Sequence, residues 1–216
     1  QDESGKAVQG GNNMERWVVA AKRADFTAIG KEFGIDPVIA RLIRNRDIQD
    51  KEEIRRYLHG TVEELASPHL MKDVDEAVEI LRNKIKEKKQ IRIIGDYDID
   101  GVVSTFILLK GLKRVGAYAD TYIPDRVSDG YGIHEHLIEK ALADGIDVIV
   151  TCDNGIAAYN EIAMAKEKGM TVIVTDHHEI PYKETENGRE LIFPPADIIV
   201  NPKQPDCRYP EKRLCG

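Results

Sequence analysis

Three short stretches of the sequence concentrate groups able to hold a divalent cation: Asp96-Tyr-Asp98-Ile-Asp100-Gly101, Thr151-Cys-Asp153-Asn-Gly155 and Thr175-Asp176-His177-His178. Carboxylates gathered at one place repel by ~4 kcal/mol per pair at 4 Å and an effective dielectric of 20, unless cations compensate. A metal centre is the simplest relief, and a mixed carboxylate and imidazole set suits Mn2+ or Mg2+. Four or more candidate ligands favour two ions over one. A pair of ions ~3.5–4 Å apart can share a carboxylate and clamp both oxygens of an in-line phosphoryl displacement. Taken singly, an Asp after a strand is more often a turn or helix cap, as Asp100 before Gly101 or Asp153 before Asn154-Gly155 could be. That reading weakens when three separate segments carry such residues together.

Other uses of the same residues fail on spacing. Asp96-x-Asp98-x-Asp100-Gly101 opens like a calcium-binding EF-hand loop, but position twelve, which needs a bidentate Glu, is Ile107. No GxxxxGK[ST] phosphate loop occurs. Adjacent His177 and His178 lack the i, i+4 spacing of a helical zinc pair, and Cys152, Cys207 and Cys215 form no CxxC.

The elements that must position these groups follow from periodicity. Ile91-Arg-Ile-Ile94 is an apolar, β-branched run leading into Gly95, as a buried parallel strand would be. The grammar repeats: helix 102–115, strand 120–123, helix 135–143, strand 148–151, helix 159–167, strand 171–174 and strand 198–200. Strands alternating with helices of this length predict an α/β fold, a doubly wound and mainly parallel sheet. In such a sheet ligands bind beyond the carboxyl ends of the strands, which is where all three acidic stretches fall.

Ahead of the sheet, Asp36-Pro37, Asp50 and Thr61-Val-Glu-Glu64 are helix-start signals, and Asp73 is expected to cap a longer helix through Ile85. The expected organisation is therefore a flexible tail over residues 1–13, a small helical segment over 14–72 and the α/β domain over 73–216. The chain has 216 residues and a net charge of −7, with 21 of its 38 acidic residues after position 95. This balance argues against a generic basic nucleic-acid coat. No apolar run approaches the ~20 residues of a membrane span, no secretory signal opens the chain, and the odd cysteine count fits a reducing, cytoplasmic setting.

The three acidic stretches resemble, in order, the first three motifs of the DHH phosphoesterase superfamily, named for Asp176-His177-His178. Gly95-Asp-Tyr-Asp-Ile-Asp-Gly101, Ile123-Pro-Asp-Arg126 with Asp129-Gly-Tyr-Gly132, and Val200-Asn-Pro-Lys-Gln-Pro-Asp-Cys207 are similar to the RecJ exonuclease branch, over about residues 14–216. The resemblance implies Asp98, Asp100, Asp153 and His177 as ligands of two Mn2+ or Mg2+ ions, with Asp153 as the bridge. Other branches carry a His where this chain has Ile94, so Asp96 is expected to take over part of that work, on the metal or behind a ligand. The resemblance also implies that His178 faces the scissile phosphate, that Asp176 orients the histidines and that Arg126 contacts substrate phosphate. Tyr131 either packs or stacks on a base.

The implied activity is 5′→3′ hydrolysis of single-stranded DNA to mononucleotides in DNA repair and recombination. Single-stranded DNA is then the partner, with a single-strand-binding protein and a helicase as protein partners and no membrane. The alternatives are a DHH phosphodiesterase of short oligoribonucleotides or cyclic dinucleotides, and a non-catalytic DHH scaffold. Complete members continue past the residues present here into a fourth motif with a further ligand Asp and a second domain, so the chain is expected to be an amino-terminal part.

Overall fold

The computed structural model describes residues 22–186, 188–212 and 214–215; the expected tail over 1–13, the onset of the helical segment at Met14 and the final Gly216 lie outside the described residues. The chain divides into two compact units after Leu65. The change of pattern in the sequence placed that division after residue 72; the packing assigns the short 3-10 turn Pro68–Leu70 and its flanks to the second unit.

In the first unit, α1 (Phe26–Phe33), α2 (Pro37–Asn45) and α3 (Lys51–His59) each begin at an aspartate whose carboxylate accepts main-chain N–H groups. Asp36 accepts from Val38 and Asp50 from Glu52 and Glu53, as the sequence signals anticipate. Ile43, Ile48 and Ile54 form its small core. Glu64 reaches back to the Thr61 N–H at 3.0 Å, a capping box set on a 3-10 turn rather than on a full helix.

The second unit is the α/β domain. Helix α4 (Val74–Lys86) leads into β1 (Gln90–Ile94), α5 (Ile99–Arg114), β2 (Tyr118–Tyr122), α6 (Glu135–Ala143), β3 (Val148–Cys152), α7 (Tyr159–Glu167) and β4 (Thr171–Thr175). A two-stranded antiparallel hairpin, β5 (Tyr182–Thr185) and β6 (Gly188–Leu191), precedes β7 (Ile198–Val200). The sheet runs β2-β1-β3-β4-β7 with every pair parallel. Helices α4 and α5 cover one face over Ile91, Ile93, Val148, Val150 and Ile173; α6 and α7 cover the other over Ile94, Ile149, Val172 and Val174. Both faces being buried is why β3 and β4, and β1 apart from Arg92, are largely apolar runs.

Three expectations are corrected. Asp73 makes no side-chain cap; its backbone is left-handed, and its carboxylate accepts weakly from Gln204 at 3.4 Å. Helix α5 starts at Ile99 rather than Val102, because Asp98 is itself the cap, accepting from Asp100 and Gly101 main-chain N–H at 2.9 and 3.1 Å. The hairpin over 182–191 went unforeseen, since its residues are mostly polar and exposed and carry no apolar alternation.

Candidate metal centre

Strand β1 lies between β2 and β3, so the chain leaves β1 in one direction and returns on its other side. That reversal makes the carboxyl ends of β1 and β3 a switch point, where loops diverge and leave a crevice. The registers Ile94↔Thr151 and Cys152↔Thr175 bring the ends of β1, β3 and β4 flush, so the next residues of each emerge side by side.

The turn after β1 is tight because two glycines permit it. A Cβ on Gly101 would meet the Asp96 carbonyl oxygen at 2.4 Å, and one on Gly95 would meet Thr105 Oγ1 at 1.9 Å. The first turn of α5 therefore presses directly on the main chain of Asp96. Asn154 Nδ2 donates to the Gly95 carbonyl at 2.7 Å and ties the β3 loop to this turn. Asp153 takes a left-handed backbone conformation, φ 61°, which Asp tolerates better than most residues.

The result is two overlapping triads. Ligand atoms of Asp96, Asp98 and Asp153 lie within 4.8 Å of one another, and so do those of Asp153, His177 and His178. His177 Nε2 is 2.8 Å from Asp153 Oδ1. Asp176, buried, accepts from the main-chain N–H groups of Ile156, His177 and His178 at 2.9, 2.7 and 3.1 Å. It also accepts from His178 Nδ1 at 2.7 Å, and a carboxylate only accepts, so the proton sits on Nδ1. Asp176 thus orients the ring of His178 directly, whereas the ring of His177 is held by Asp153.

The electrostatics of the triads favour a cation. Burial pushes the Asp153 carboxyl well above the usual range, with the Asp98 charge adding to the rise and His177 opposing it. Burial likewise raises Asp96, again with help from Asp98, while the Gly101 and Asp100 N–H groups lower Asp98. Asp96 Oδ1 is buried without a hydrogen-bond partner. An orphaned buried carboxylate oxygen beside two further carboxylates is costly alone and is satisfied by a hard divalent ion. The donor set therefore fits Mn2+ or Mg2+.

Not every expected residue joins. Asp100, in the first turn of α5, belongs to neither triad. Arg126 is exposed and stands over the Tyr97 ring, 5.3 Å from its centroid, which places it beside the β1 turn rather than on a carboxylate. The half-exposed Tyr131 ring is edge-on to Tyr97 at 6.4 Å and to His178 at 5.9 Å. Beside His178 a cleft of about 370 Å3 opens, lined by Tyr131, Asn154, Ile156, Glu161 and Glu179. Sequence reading included Asn154 and fully buried Asn201 in its motifs but gave neither a role; Asn201 Nδ2 donates to the His178 carbonyl at 3.1 Å. A signal for Asn201 existed: a polar Asn-Pro directly follows the apolar strand β7, at the same sheet edge as the other stretches.

Residues 90–216 match the family model described as the DHH family, N-terminal domain. The chain is 39% identical over 202 residues, 93% of its length, to the single-stranded-DNA-specific exonuclease RecJ of Bacillus subtilis, and spans 25% of that protein. It is also similar to the crystal structure of RecJ in complex with Mn2+ from Thermus thermophilus, with TM-score 0.59, 30% identity, and coverage of 87% of this chain and 24% of that one. A crystal structure of exonuclease RecJ bound to manganese matches with TM-score 0.55 and 36% identity, covering 63% of this chain and 33% of that one. The chain thus spans about a quarter to a third of the relatives it matches. With the family match over more than half its residues and the motif aspartates and histidines converging at one sheet edge, the chain belongs to the DHH family.

Proposed function

We propose that this chain carries metal-holding and phosphate-facing residues of a phosphodiesterase that degrades single-stranded DNA from its 5′ end to mononucleotides, in DNA repair and recombination. The observation that carries the reading is the convergence of Asp96, Asp98, Asp153 and His177 beside the Asp176–His178 pair, in a chain similar to proteins named single-stranded-DNA-specific exonucleases. The 5′ polarity and the repair role rest on the resemblance alone.

In this reading Asp96, Asp98, Asp153 and His177 would hold two ions, with Asp153 common to both triads. Bound Mn2+ or Mg2+ would supply Lewis acidity for an attacking water and for the charge that develops on the phosphate. The protein's own residues do the rest. Asp176 accepts from His178 Nδ1–H and so favours the imidazolium form, in which Nε2–H would donate to a phosphate oxygen. Arg126, over the Tyr97 ring, would donate to a second phosphate oxygen through its guanidinium fork. Asp100, a ligand in the resemblance, lies in the first turn of α5 outside both triads. A single-strand-binding protein and a helicase would be the expected protein partners, through surfaces that lie outside this centre. Among the described residues no helix is long and apolar enough to cross a membrane.

The test is calorimetric titration of Mn2+ into the chain and into its Asp98→Ala/Asp153→Ala double variant. Micromolar binding that disappears in the variant supports the centre; binding of equal strength in both overturns it. Fluorescence anisotropy with oligo-dT and oligo-rU, in Mg2+, then separates a DNA enzyme from a ribonucleotide one: tighter retention of the RNA would remove DNA as the substrate.

A further inference from the structure

The imidazole of His178 is constrained from more than one direction. Its Nδ1 is committed to Asp176, and its main-chain carbonyl is held by Asn201. A third contact comes from the loop between β2 and α6: the Tyr131 hydroxyl lies 3.2 Å from Nε2 and 3.4 Å from Nδ1.

Those two distances decide what the contact is. An in-plane hydrogen bond to one ring nitrogen leaves the other much farther away. An oxygen nearly equidistant from both, if it lay in the ring plane, would fall inside the van der Waals envelope of the carbon between them. The hydroxyl therefore sits over the face of the imidazole, which agrees with the 79° angle between the two ring planes. Contacts of this kind to a π face are weak singly but directional. Among the described residues no other hydrogen-bond partner of Nε2 is found.

The seat of Tyr131 is built rather than incidental. Gly130 and Gly132 on either side take positive φ, 79° and 88°, a pair of turns that other residues adopt only under strain. Tyr97 backs the Tyr131 ring edge-on, and Arg126 covers Tyr97 in turn. Residues 97, 126, 131 and 178, from three separate motifs, thus form one continuous stack.

The geometry points to Tyr131 as a positioning residue for His178: its hydroxyl, seated over the imidazole face, fixes the plane of the ring and with it the direction from which Nε2 meets a substrate oxygen. The identity of that oxygen as a phosphate oxygen rests on the phosphodiesterase reading above; the contact itself does not.

The test uses the chain with 15N,13C-labelled histidine, as wild type, Tyr131→Phe and Tyr131→Ala, with Mg2+ as a diamagnetic ion. Tyr131 is 53% exposed, so both variants are expected to fold, which the amide spectrum verifies. Side-chain relaxation of the His178 Cε1–H group is expected to report at least a twofold loss of ring order in Tyr131→Ala and an intermediate loss in Tyr131→Phe, with His69 unchanged as the internal control. Titration with thymidine 5′-monophosphate is expected to move the wild-type His178 Nε2 resonance, with at least threefold weaker affinity in Tyr131→Ala. Unchanged ring order in both variants overturns the proposal, and so does equal affinity in wild type and Tyr131→Ala. If the nucleotide leaves wild-type Nε2 unmoved while ring order still falls in the variants, the positioning role stands and the phosphodiesterase reading is what fails.

Discussion

His177 Nε2 and Asp153 Oδ1 lie 2.8 Å apart across the ends of β4 and β3, so two groups expected to bind a cation occupy each other's coordination positions. The contact offsets part of the cost of burying Asp153 beside Asp96 and Asp98, and burial still leaves the Asp153 carboxyl raised. Function and stability are therefore opposed at this residue. Asp153→Asn removes one buried charge from the triad while keeping an acceptor for His177. Its metal-free melting temperature is expected to equal or exceed that of wild type, while Mn2+ affinity falls at least tenfold. Scanning calorimetry and titration calorimetry on the same samples check the two halves together.

Asp98 and Asp100 differ in what the fold does with them, although the sequence presents them alike. Asp98 caps α5 and its carboxylate joins a triad; Asp100 lies within the first helical turn and joins none. Asp98→Ala is expected to lose both a helix cap, about 1 kcal/mol, and at least tenfold in Mn2+ affinity. Asp100→Ala should change Mn2+ affinity by less than threefold. A loss with Asp100→Ala as large as with Asp98→Ala would mean that the α5 turn rearranges around the ion.

Saturating metal should also stabilise the fold by mass action. An ion at a hundred times its dissociation constant adds roughly 2.7 kcal/mol to a site absent from the unfolded chain. For a unit of this size that corresponds to a rise of roughly 5–10 °C in melting temperature. The rise should appear with Mn2+ and Mg2+, vanish on adding EDTA, and be missing in the Asp98→Ala/Asp153→Ala variant. A chelator-insensitive melting temperature would count against the centre.

Much of this was legible because burial on both faces forces β1, β3 and β4 to be largely apolar, so the polar residues that interrupt them mark the strand ends. Arg92 is the instructive exception. It sits inside β1 at 7% exposure, held by both carboxylate oxygens of Asp120 and by Asp144, partners 28 and 52 positions away that no local pattern reveals. Long-range satisfaction of this kind also hid Asn154 and Asn201, whose partners lie 59 and 23 residues distant. The cap of α5 went to Asp98 rather than Asp100 because the chain turns at Gly95–Tyr97 under the close approach of Gly101, a constraint visible only in three dimensions.

Gly101 supplies a prediction whose sign is opposite to ordinary helix propensity. Replacing a helical Gly by Ala usually stabilises by about 1 kcal/mol. Here the added Cβ would meet the Asp96 carbonyl oxygen at 2.4 Å, and the obstacle is main chain rather than a movable side chain. Gly101→Ala is expected to destabilise the α/β unit by about 1–3 kcal/mol and to weaken Mn2+ binding by displacing Asp96. Urea denaturation with and without Mn2+ measures both, and an unchanged or raised midpoint would show that α5 can move away from the β1 turn.

The loop that carries Arg126 and leads to Tyr131 should loosen in acid. Asp125 Oδ1 accepts from the Ser128 and Val127 N–H groups, each at 2.9 Å, and Asp129 Oδ2 accepts from the Asp125 N–H at 2.8 Å. These main-chain donors hold both carboxyls below their ordinary value of 3.8. A depressed carboxyl stabilises the folded loop fully above the unfolded value, and that contribution is lost as pH falls through the folded one. Amide exchange protection at Val127 and Ser128 should therefore be flat from about pH 6 down to about pH 4 and decline below it, ahead of the β3 amides. Asp125→Asn should weaken that acid dependence and leave the part carried by Asp129, because an amide side chain does not titrate while the Asp129 carboxyl still does. Protection at Val127 that declines between pH 6 and 4 would instead place the controlling group outside this loop.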